Sequence, residues 1–307
     1  MTQTISSPAA QSRYLTGACF GVATILIWAG WMSITRVGIA TALTAADITM
    51  LRYGTAGLLL LPVVLRHGMG LGRLRWWQLA VLVGGAGAPY AMVASSGLRY
   101  APAADAGVLI PGVMPLFVAI LSVLLLGEKI GVSRKAGYGL ILLGVLAIAG
   151  MAVLLPGSGR TSGHLLFLTA SFMWASYTIV LRRSGLAPLH AAAIVSVWSA
   201  LLFLPVYLWL RGPALLGIPL GDSALQAIFQ GVLATIMSLY LFGKTIELLG
   251  ASGGAAFGAL VPALAALLAI PVLGEHPSPT DWLGIAAVTA GVYLASGGPV
   301  WRFTPRS

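Results

Sequence analysis

The stretch PLFVAILSVLLLGE at positions 115–128 returns at positions 262–275 as PALAALLAIPVLGE, 147 residues further along the chain. Both copies begin with proline, continue with a run that is almost entirely apolar, and end in Gly-Glu. Together with the apolar residues before it, each copy is long enough to cross about 30 Å of hydrocarbon as a helix. A match at this spacing predicts a chain that is built from two similar halves.

The rest of the chain has the same apolar character. Of 307 residues, 59% are hydrophobic and only 8% are charged, whereas soluble domains carry about 25% charged residues. This composition excludes a soluble globular protein and a disordered one, and the single Cys19 excludes a disulfide scaffold. We therefore predict an all-α integral membrane protein with ten transmembrane helices. Their predicted bounds are 15–36, 45–65, 76–98, 104–126, 136–155, 163–181, 190–210, 224–247, 251–273 and 281–297.

The repeat extends beyond the opening stretch. In the first span of each half, Gly17, Trp28, Ala29 and Arg36 correspond to Gly163, Trp174, Ala175 and Arg182. We divide the chain into an N-terminal tail (1–12), a first half (13–156), a second half (157–300) and a C-terminal tail (301–307). Each half has five spans, and because this number is odd, the second half must enter the membrane from the opposite face. The prediction is an inverted repeat, which many secondary transporters use to form a substrate site between the halves.

The distribution of positive charge predicts the orientation of the chain. Lysine and arginine are enriched on the cytoplasmic side of membrane proteins. With the N-terminus inside, eleven of the 17 Lys and Arg residues fall on inner segments and four on outer segments. Both termini are therefore predicted to be cytoplasmic, at the cytoplasmic (inner) membrane, and the first span is predicted to be retained rather than cleaved. The net charge of +10 reflects this topology, so we expect no nucleic-acid partner.

Several motifs together resemble the drug/metabolite transporter superfamily and, within it, the EamA family. They are Ile27-Trp28-Ala29-Gly30, Arg52, Pro115 with Gly127-Glu128, and the second-half counterparts in 174–183, Pro262 and Gly274-Glu275. The resemblance covers about residues 15–298 and rests on the order and double occurrence of the motifs. It implies a ten-helix bundle with a central cavity that carries small metabolites, often outward and often amino acids or related compounds. Ala29 departs from the family, which often has glycine after this tryptophan.

Arg52 is the most informative candidate residue because it lies about 10 Å into the second span. A cation near the midplane costs at least about 2.5–3.5 kcal/mol and usually faces a cavity or a partner. A guanidinium binds carboxylates and phosphates through two hydrogen bonds, so Arg52 is a candidate anchor for an acidic substrate group. The alternative is a structural arginine that binds backbone carbonyls or a nearby acid.

Aromatic residues are candidates for lining the cavity. Trp28 and Trp31 lie on one helix face, and Trp174 and Tyr177 repeat this spacing in the second half. Such rings suit an amphipathic metabolite, although helix packing or a membrane-interface belt would also explain them. Further candidates of the same kind are Tyr90, Trp198 and Tyr240.

Four charged residues are candidates for coupling or gating. Glu128 and Glu275 end corresponding spans on opposite faces, which favours a structural or gating role at each cavity mouth. Lys244 and Glu247 can pair across one helical turn, or Lys244 can extend toward the headgroups. In the alternative, Glu247 binds and releases a proton that couples transport.

Three other features of the sequence need an interpretation. Pro115 and Pro262 free a carbonyl at matched places inside their helices and are candidate hinges. Asp105 is either a helix cap or a functional acid. The segment GASGG at 250–254 fits Gly-x-Ser-x-Gly, but the only histidine after it, His276, lies in a turn, so we do not expect an intramembrane protease. The sequence contains no metal-ligand cluster and no cofactor motif.

These features predict a secondary carrier that moves a small polar or amphipathic metabolite by alternating access. Export of amino acids or related compounds is the favoured function, and a non-transporting membrane scaffold or subunit is the alternative. The expected partners are the metabolite and the lipid bilayer. Proton coupling and the oligomeric state are left open by the sequence.

Overall fold

A computed structural model describes residues 8–41, 43–154 and 159–296, and every regular element in these ranges is helical. The first half contains α1 (Pro8–Ala40), α2 (Ala45–His67), α3 (Trp76–Ala86), α4 (Ala88–Gly97), α5 (Ala103–Gly107), α6 (Met114–Leu126) and α7 (Val132–Leu154). The second half contains α8 (Arg160–Ser184), α9 (Pro188–Arg211), α10 (Leu220–Gln226), α11 (Ser238–Gly258), α12 (Val261–Leu273) and α13 (Pro279–Ala295). Residues 1–7, the predicted boundary at 156–157 and the tail 301–307 lie outside the described residues.

Seven helical segments of the described chain are long and apolar enough to cross a membrane. They are Gln11–Ala40, Ala45–His67, Trp76–Gly97, Ala103–Leu126, Arg160–Ser184, Pro188–Arg211 and Leu220–Gly250. The other three predicted spans correspond to α7, to α12 with the end of α11, and to α13. The chain is therefore an all-helical, multi-pass membrane protein, and the count of ten spans stays a prediction.

The repeated Gly-Glu motif ends a helix in each half. Gly127 and Gly274 have left-handed φ values of 65° and 68°, which glycine adopts without strain. The amides of Glu128 and Glu275 bond back to the carbonyls of residues 122 and 269, each at 3.3 Å, which satisfies carbonyls at the helix end. The same backbone turn thus presents both glutamates at the ends of α6 and α12.

Interruptions shape the middle of the helix bundle. α3 and α4 meet at Gly87, where a Cβ atom would lie 2.2 Å from Ser199 Oγ, and this hydroxyl accepts the amide of Ala88 at 3.0 Å. Val108–Gly112, between α5 and α6, and Ala227–Met237, between α10 and α11, are π-helical. The π-helix is rare in proteins, and the segments that adopt it often lie at functional sites.

The two candidate hinge prolines stand at the beginning of helices. Pro115 lies in the first turn of α6 and Pro262 in the first turn of α12, each directly after a break in its predicted span. In this position the missing proline amide removes no helical hydrogen bond. The prolines therefore start helices rather than free a carbonyl inside them, and a hinge role for both stays a prediction.

Two corresponding helices, α7 and α13, are in close backbone contact. A Cβ atom on Gly137 would lie 2.7 Å from the carbonyl oxygen of Gly291, and one on Gly144 would lie 2.6 Å from that of Gly284. The residue number on α13 falls as the number on α7 rises, so the two helices run antiparallel. Close approach at small residues is a main source of helix association in lipid.

A second corresponding pair, α2 and α9, is also antiparallel. Near the start of α2, Tyr207 Oη donates a hydrogen bond to Asp47 at 2.6 Å. At the other end, His190 Nε2 lies 2.8 Å from the carbonyl oxygen of Gly68. Both of these helix pairs place one helix of the first half against its counterpart in the second half.

Candidate functional site

A cavity is lined by residues from both halves of the chain. The volume of this cavity is about 140 Å³. The lining residues are Trp28, Trp31, Met32, Arg52, Tyr90, Ile110, Pro111, Met114, Trp174, Ala234 and Val261. Both π-helical segments contribute to this wall, the first through Ile110 and Pro111 and the second through Ala234.

Arg52, the candidate anchor, is one of the lining residues of this cavity. The residue is only 6% exposed, and its Nε donates a hydrogen bond to Thr235 Oγ1 at 3.1 Å. The guanidinium carbon lies 5.7 Å from the ring centroid of Trp31 and 5.4 Å from that of Tyr53, within the range of cation–π attraction. No acidic side chain of the described residues forms an ion pair with Arg52.

Four of the predicted aromatic residues meet at the cavity: Trp28, Trp31, Tyr90 and Trp174. Tyr90 connects the halves, because its ring stacks on Trp31 at 6.5 Å and meets Trp174 edge-on at 4.9 Å. Tyr177 lies behind Trp174, with its ring 5.7 Å away, and is buried outside the lining. The two predicted aromatic surfaces therefore join into one wall.

Two other predicted aromatic residues are not brought to the cavity. Trp198 Nε1 donates a hydrogen bond to the carbonyl of Met69 at 3.1 Å. Tyr240 lies on α11 with 58% of its surface exposed. The span of Trp198 is almost entirely apolar, so sequence periodicity did not indicate which of its faces turns inward.

A buried polar network, which the sequence analysis missed, supports the cavity wall. Trp31 Nε1 donates to Gln230 Oε1 at 2.7 Å, and Gln230 Nε2 donates to Thr35 Oγ1 at 2.8 Å. Thr235 Oγ1, which accepts from Arg52, donates to the carbonyl of Gln230 five residues earlier, as π-helical spacing allows. The available signal was the presence of buried amide and hydroxyl residues in an otherwise apolar span.

Two ion pairs join the halves at corresponding positions. Arg36 Nε lies 2.5 Å from Glu275 Oε1, and Arg182 Nη2 lies 3.1 Å from Glu128 Oε1. Because Arg36 corresponds to Arg182 and Glu275 to Glu128, each pair is the image of the other. The Arg36–Glu275 side chains are 28% and 18% exposed, and Glu275 also accepts the amide of Ala103 at 2.8 Å. The Arg182–Glu128 side chains are 52% and 41% exposed, so one contact is tight and its image is loose.

Lys244 and Glu247 pair with each other, which was one of the alternatives left by the sequence. Nζ of Lys244 lies 2.7 Å from Oε2 of Glu247, and the two side chains are 36% and 59% exposed. Neither residue lines the cavity. The side chain of Ser252, in the protease-like segment, lies outside the described part of the chain.

A second buried charge cluster joins α5, α8 and α13. Arg160 Nε donates to Asp105 Oδ2 at 2.7 Å, and Arg160 Nη2 donates to Asp281 Oδ1 at 3.1 Å. His164 Nε2 lies 2.6 Å from Asp105 Oδ2. The Asp105 side chain is 2% exposed, so these contacts are shielded from water. Asp105 is therefore an ion-pair partner of α8, and Arg160 ties the three spans together.

Apolar helices that enclose a cavity with one buried cation and several rings define a membrane transport protein. The model of the EamA-like transporter family matches residues 15–150 and 161–297, one copy in each half. The chain belongs to the EamA-like transporter family, and the resemblance seen in the sequence is confirmed.

Several proteins are similar to this chain. The "Probable terminal-alkyne amino-acid exporter" of Streptantibioticus cattleyicolor is 26% identical over 89% of this chain and 91% of its own. The "Uncharacterized inner membrane transporter YedA" of Escherichia coli K12 is 27% identical over 92% and 91%. The "Uncharacterized transporter YwfM" of Bacillus subtilis is 30% identical, but the match spans only 50% of this chain and 53% of that one. A crystal structure that is 21% identical superposes with a TM-score of 0.59 over 91% of this chain and 96% of its own, and indicates the fold alone.

Proposed function

We propose that this protein is a secondary carrier that exports a small polar or amphipathic metabolite, preferably an amino acid or a related compound. The observation that carries this proposal is Arg52, whose guanidinium faces an aromatic cavity without an acidic partner among the described residues. A buried cation without a counter-charge is costly in a membrane. A substrate carboxylate would supply the counter-charge and two hydrogen bonds. The name of the S. cattleyicolor relative, an amino-acid exporter, is consistent with this class of substrate.

Alternating access by two inverted halves is the proposed mechanism. It is supported by the reciprocal contacts of α7 and α13, in which Gly137 meets Gly291 and Gly144 meets Gly284. The repeat relates Gly137 to Gly284 and Gly144 to Gly291, so each contact is the image of the other. Such reciprocity is the property of a two-fold interface. An axis of this kind would convert a shape open on one face into a shape open on the other.

Glu128 and Glu275 are the proposed gates at the two cavity mouths. The tight Arg36–Glu275 pair favours closure of its face, and the loose Arg182–Glu128 pair favours opening of the opposite face. Exchange of the tight and loose pairs would accompany transport. Pro115 and Pro262, at the matched breaks before α6 and α12, are the proposed hinges for this movement.

The proposed location of the protein is the cytoplasmic membrane. In the proposed orientation, both termini lie in the cytoplasm. The excess of Lys and Arg on the inner segments supports it, and a relative with a similar sequence is named an inner membrane transporter. In this orientation the Arg36–Glu275 pair lies on the outer face. Proton coupling through Glu247 is retained as a proposal, with Lys244 as its ion-pair partner.

Flux measurements in proteoliposomes test the carrier function. A panel of amino acids and amino-acid derivatives is offered with and without a pH gradient, and saturable uptake of at least one compound is expected. Arg52→Ala should abolish that uptake, whereas Arg183→Ala, a change in an exposed arginine of α8, should preserve it. If no compound shows saturable flux, a scaffold function replaces the proposal. If Arg52→Ala transports normally, Arg52 is not the anchor.

A further inference from the structure

The acidic residues of the chain are almost all committed to cations other than Arg52. The sequence contains seven acids, and all of them lie in described ranges. Six form ion pairs, namely Asp47, Asp105, Glu128, Glu247, Glu275 and Asp281, with Arg211, Arg160, Arg182, Lys244, Arg36 and Arg160 respectively. The seventh, Asp222, lies in the first turn of α10 and forms no ion pair with Arg52 or any other described residue. No acid of the described residues therefore supplies a counter-charge to Arg52, and a bound carboxylate could do so.

The guanidinium of Arg52 retains donors for a ligand. In the described part of the chain, one hydrogen bond from it is recorded, and that bond uses Nε and Thr235. Trp31 and Tyr53 attract its charge through their ring faces but accept no conventional hydrogen bond from it. The two terminal NH₂ groups can therefore donate one hydrogen bond to each oxygen of a carboxylate, as in bidentate arginine–carboxylate pairs.

The remainder of the cavity is unsuited to a second charge. Its other lining residues are aromatic, aliphatic or thioether side chains, and none of them is acidic. An ammonium group that entered would lose its water beside the positive charge of Arg52, and the cation–π attraction of the ring faces would offset only part of the cost of burying a charge without a counter-charge. A phosphate dianion would likewise leave one negative charge unpaired. The cavity volume of about 140 Å³ favours a small ligand.

We infer that the cavity selects small organic monocarboxylates with an aromatic or branched apolar body, and that it disfavours a free α-amino group. The inference rests on the proposed carrier function, and within its class of amino acids and related compounds it departs from the preference for free amino acids. Among amino-acid-related compounds, it selects those whose amino group is missing or masked, such as aryl alkanoates, oxo acids and N-acyl amino acids. Arg52 binds the carboxylate, and the wall of Trp31, Tyr90 and Trp174 receives the body.

Binding of four matched ligands to the full chain in lipid nanodiscs tests this inference. The ligands are 3-phenylpropionate, phenylalanine, 2-phenylethylamine and 2-phenylethyl phosphate, and the readout is quenching of tryptophan fluorescence at pH 7.5. We expect 3-phenylpropionate to bind at least about 10-fold more tightly than phenylalanine, because the ammonium must be desolvated. We expect no saturable binding of the amine and weaker binding of the phosphate. Tighter binding of phenylalanine or the phosphate, saturable binding of the amine, or no binding of 3-phenylpropionate would each overturn the inference.

Variants assign the effect to Arg52. Arg52→Gln should weaken 3-phenylpropionate binding by at least about 30-fold, since it removes one partner of a buried charge pair. The matched Arg183→Gln should bind as the unmodified chain does. The ligand comparison uses the unmodified protein, so it decides the question even if Arg52→Gln fails to fold. Saturable flux with a preference for zwitterions would refute this inference and keep the carrier, whereas Arg52-dependent binding without flux would keep the inference and refute the carrier.

Discussion

Glu275→Gln should shift the protein toward the state that is open on the Arg36 face. The substitution keeps the shape of the side chain but removes the charge that lies 2.5 Å from Arg36. It also replaces a charged acceptor for the Ala103 amide by a neutral one. Glu128→Gln removes the corresponding charge beside Arg182, where both side chains are about half exposed. Its effect should therefore have the opposite sign.

The magnitude follows from the difference between the tight and the loose pair. A shielded, charge-assisted hydrogen bond contributes about 1.5–3 kcal/mol, whereas an exposed ion pair contributes about 0–1 kcal/mol. In the observed state Glu275 forms the tight pair, so Glu275→Gln removes the larger contribution there. In the oppositely open state Glu275 would form the loose pair, so the substitution removes only the smaller contribution. The net shift is about 1–2 kcal/mol, or about 5- to 30-fold in the equilibrium between the states. If the repeat symmetry governs the motion, Glu128→Gln should shift the equilibrium by a similar factor in reverse.

Cysteine labelling in sealed vesicles of known orientation measures this equilibrium. Cys19 is the sole cysteine and is exposed, so it is first replaced by alanine. Met114→Cys then places a thiol in the cavity wall. A membrane-impermeant maleimide applied to the Arg36 face should label the Glu275→Gln variant about 5- to 30-fold faster than its parent. The Glu128→Gln variant should be labelled more slowly from that face.

A matched control is Asp222→Asn, which removes an acid that forms no ion pair with any described residue and should leave both labelling rates unchanged. The reasoning is refuted if Glu275→Gln and Glu128→Gln change the labelling rate in the same direction. It is also refuted if neither variant differs from the control. In that case the two ion pairs hold the fold together in every state and do not act as gates.

Three further predictions concern the wall and the packing of the bundle. Thr235→Val should raise the KM for the transported substrate by about 3- to 10-fold, because it removes the hydrogen-bond acceptor of Arg52 Nε. The control Thr245→Val loses only a hydrogen bond within its own helix and should leave the KM unchanged. Equal KM values for the two variants in flux assays would contradict the positioning role of Thr235. Gly144→Ala should lower the free energy of unfolding by about 1–3 kcal/mol, because its Cβ would lie 2.6 Å from the Gly284 oxygen. The control Gly139→Ala, whose Cβ would meet no atom within 4 Å, should leave the free energy of unfolding unchanged. Denaturant titration in bicelles measures the difference, and equal midpoints would argue against the close contact of α7 and α13. Asp105→Ala should cost about 1.5–3 kcal/mol in the same titration, because His164 loses its acid and Arg160 keeps only Asp281. An unchanged midpoint would mean that water replaces Asp105.

Local rules explain why much of the fold was predictable. A run of about 20 apolar residues has few alternatives in a bilayer, since backbone groups there must be bonded within the segment. Helix ends were equally local, because Gly127 and Gly274 take a left-handed φ that other residues rarely adopt. The depth of Arg52 in its span also followed from counting residues. That depth left two alternatives, a cavity or a structural partner, and the sequence could not choose between them.

Which face of each helix turns inward was not predictable for the most apolar spans. Trp198 and Tyr90 are both single aromatic candidates within apolar spans, yet only Tyr90 lies in the cavity wall. The π-helical segment that brings Gln230 and Thr235 into one network has no sequence signature as clear as that of a helix cap. Its additional residue per turn changes which side chains share a face, so α-helical periodicity gives the wrong set.

The sequence by itself determined that this protein lies in a membrane, that it consists of two related halves, and that Arg52 is a charge in need of a partner. These properties depend on composition, spacing and the cost of placing single groups in hydrocarbon. Only the tertiary structure decided that six of the seven acids are paired elsewhere, that Tyr90 joins the aromatic rings of both halves, and that Arg36–Glu275 is tight while its image is loose. The physical reason is that these contacts, apart from the Lys244–Glu247 pair, form between residues more than 50 positions apart, so helix packing rather than sequence neighbourhood selects the partners.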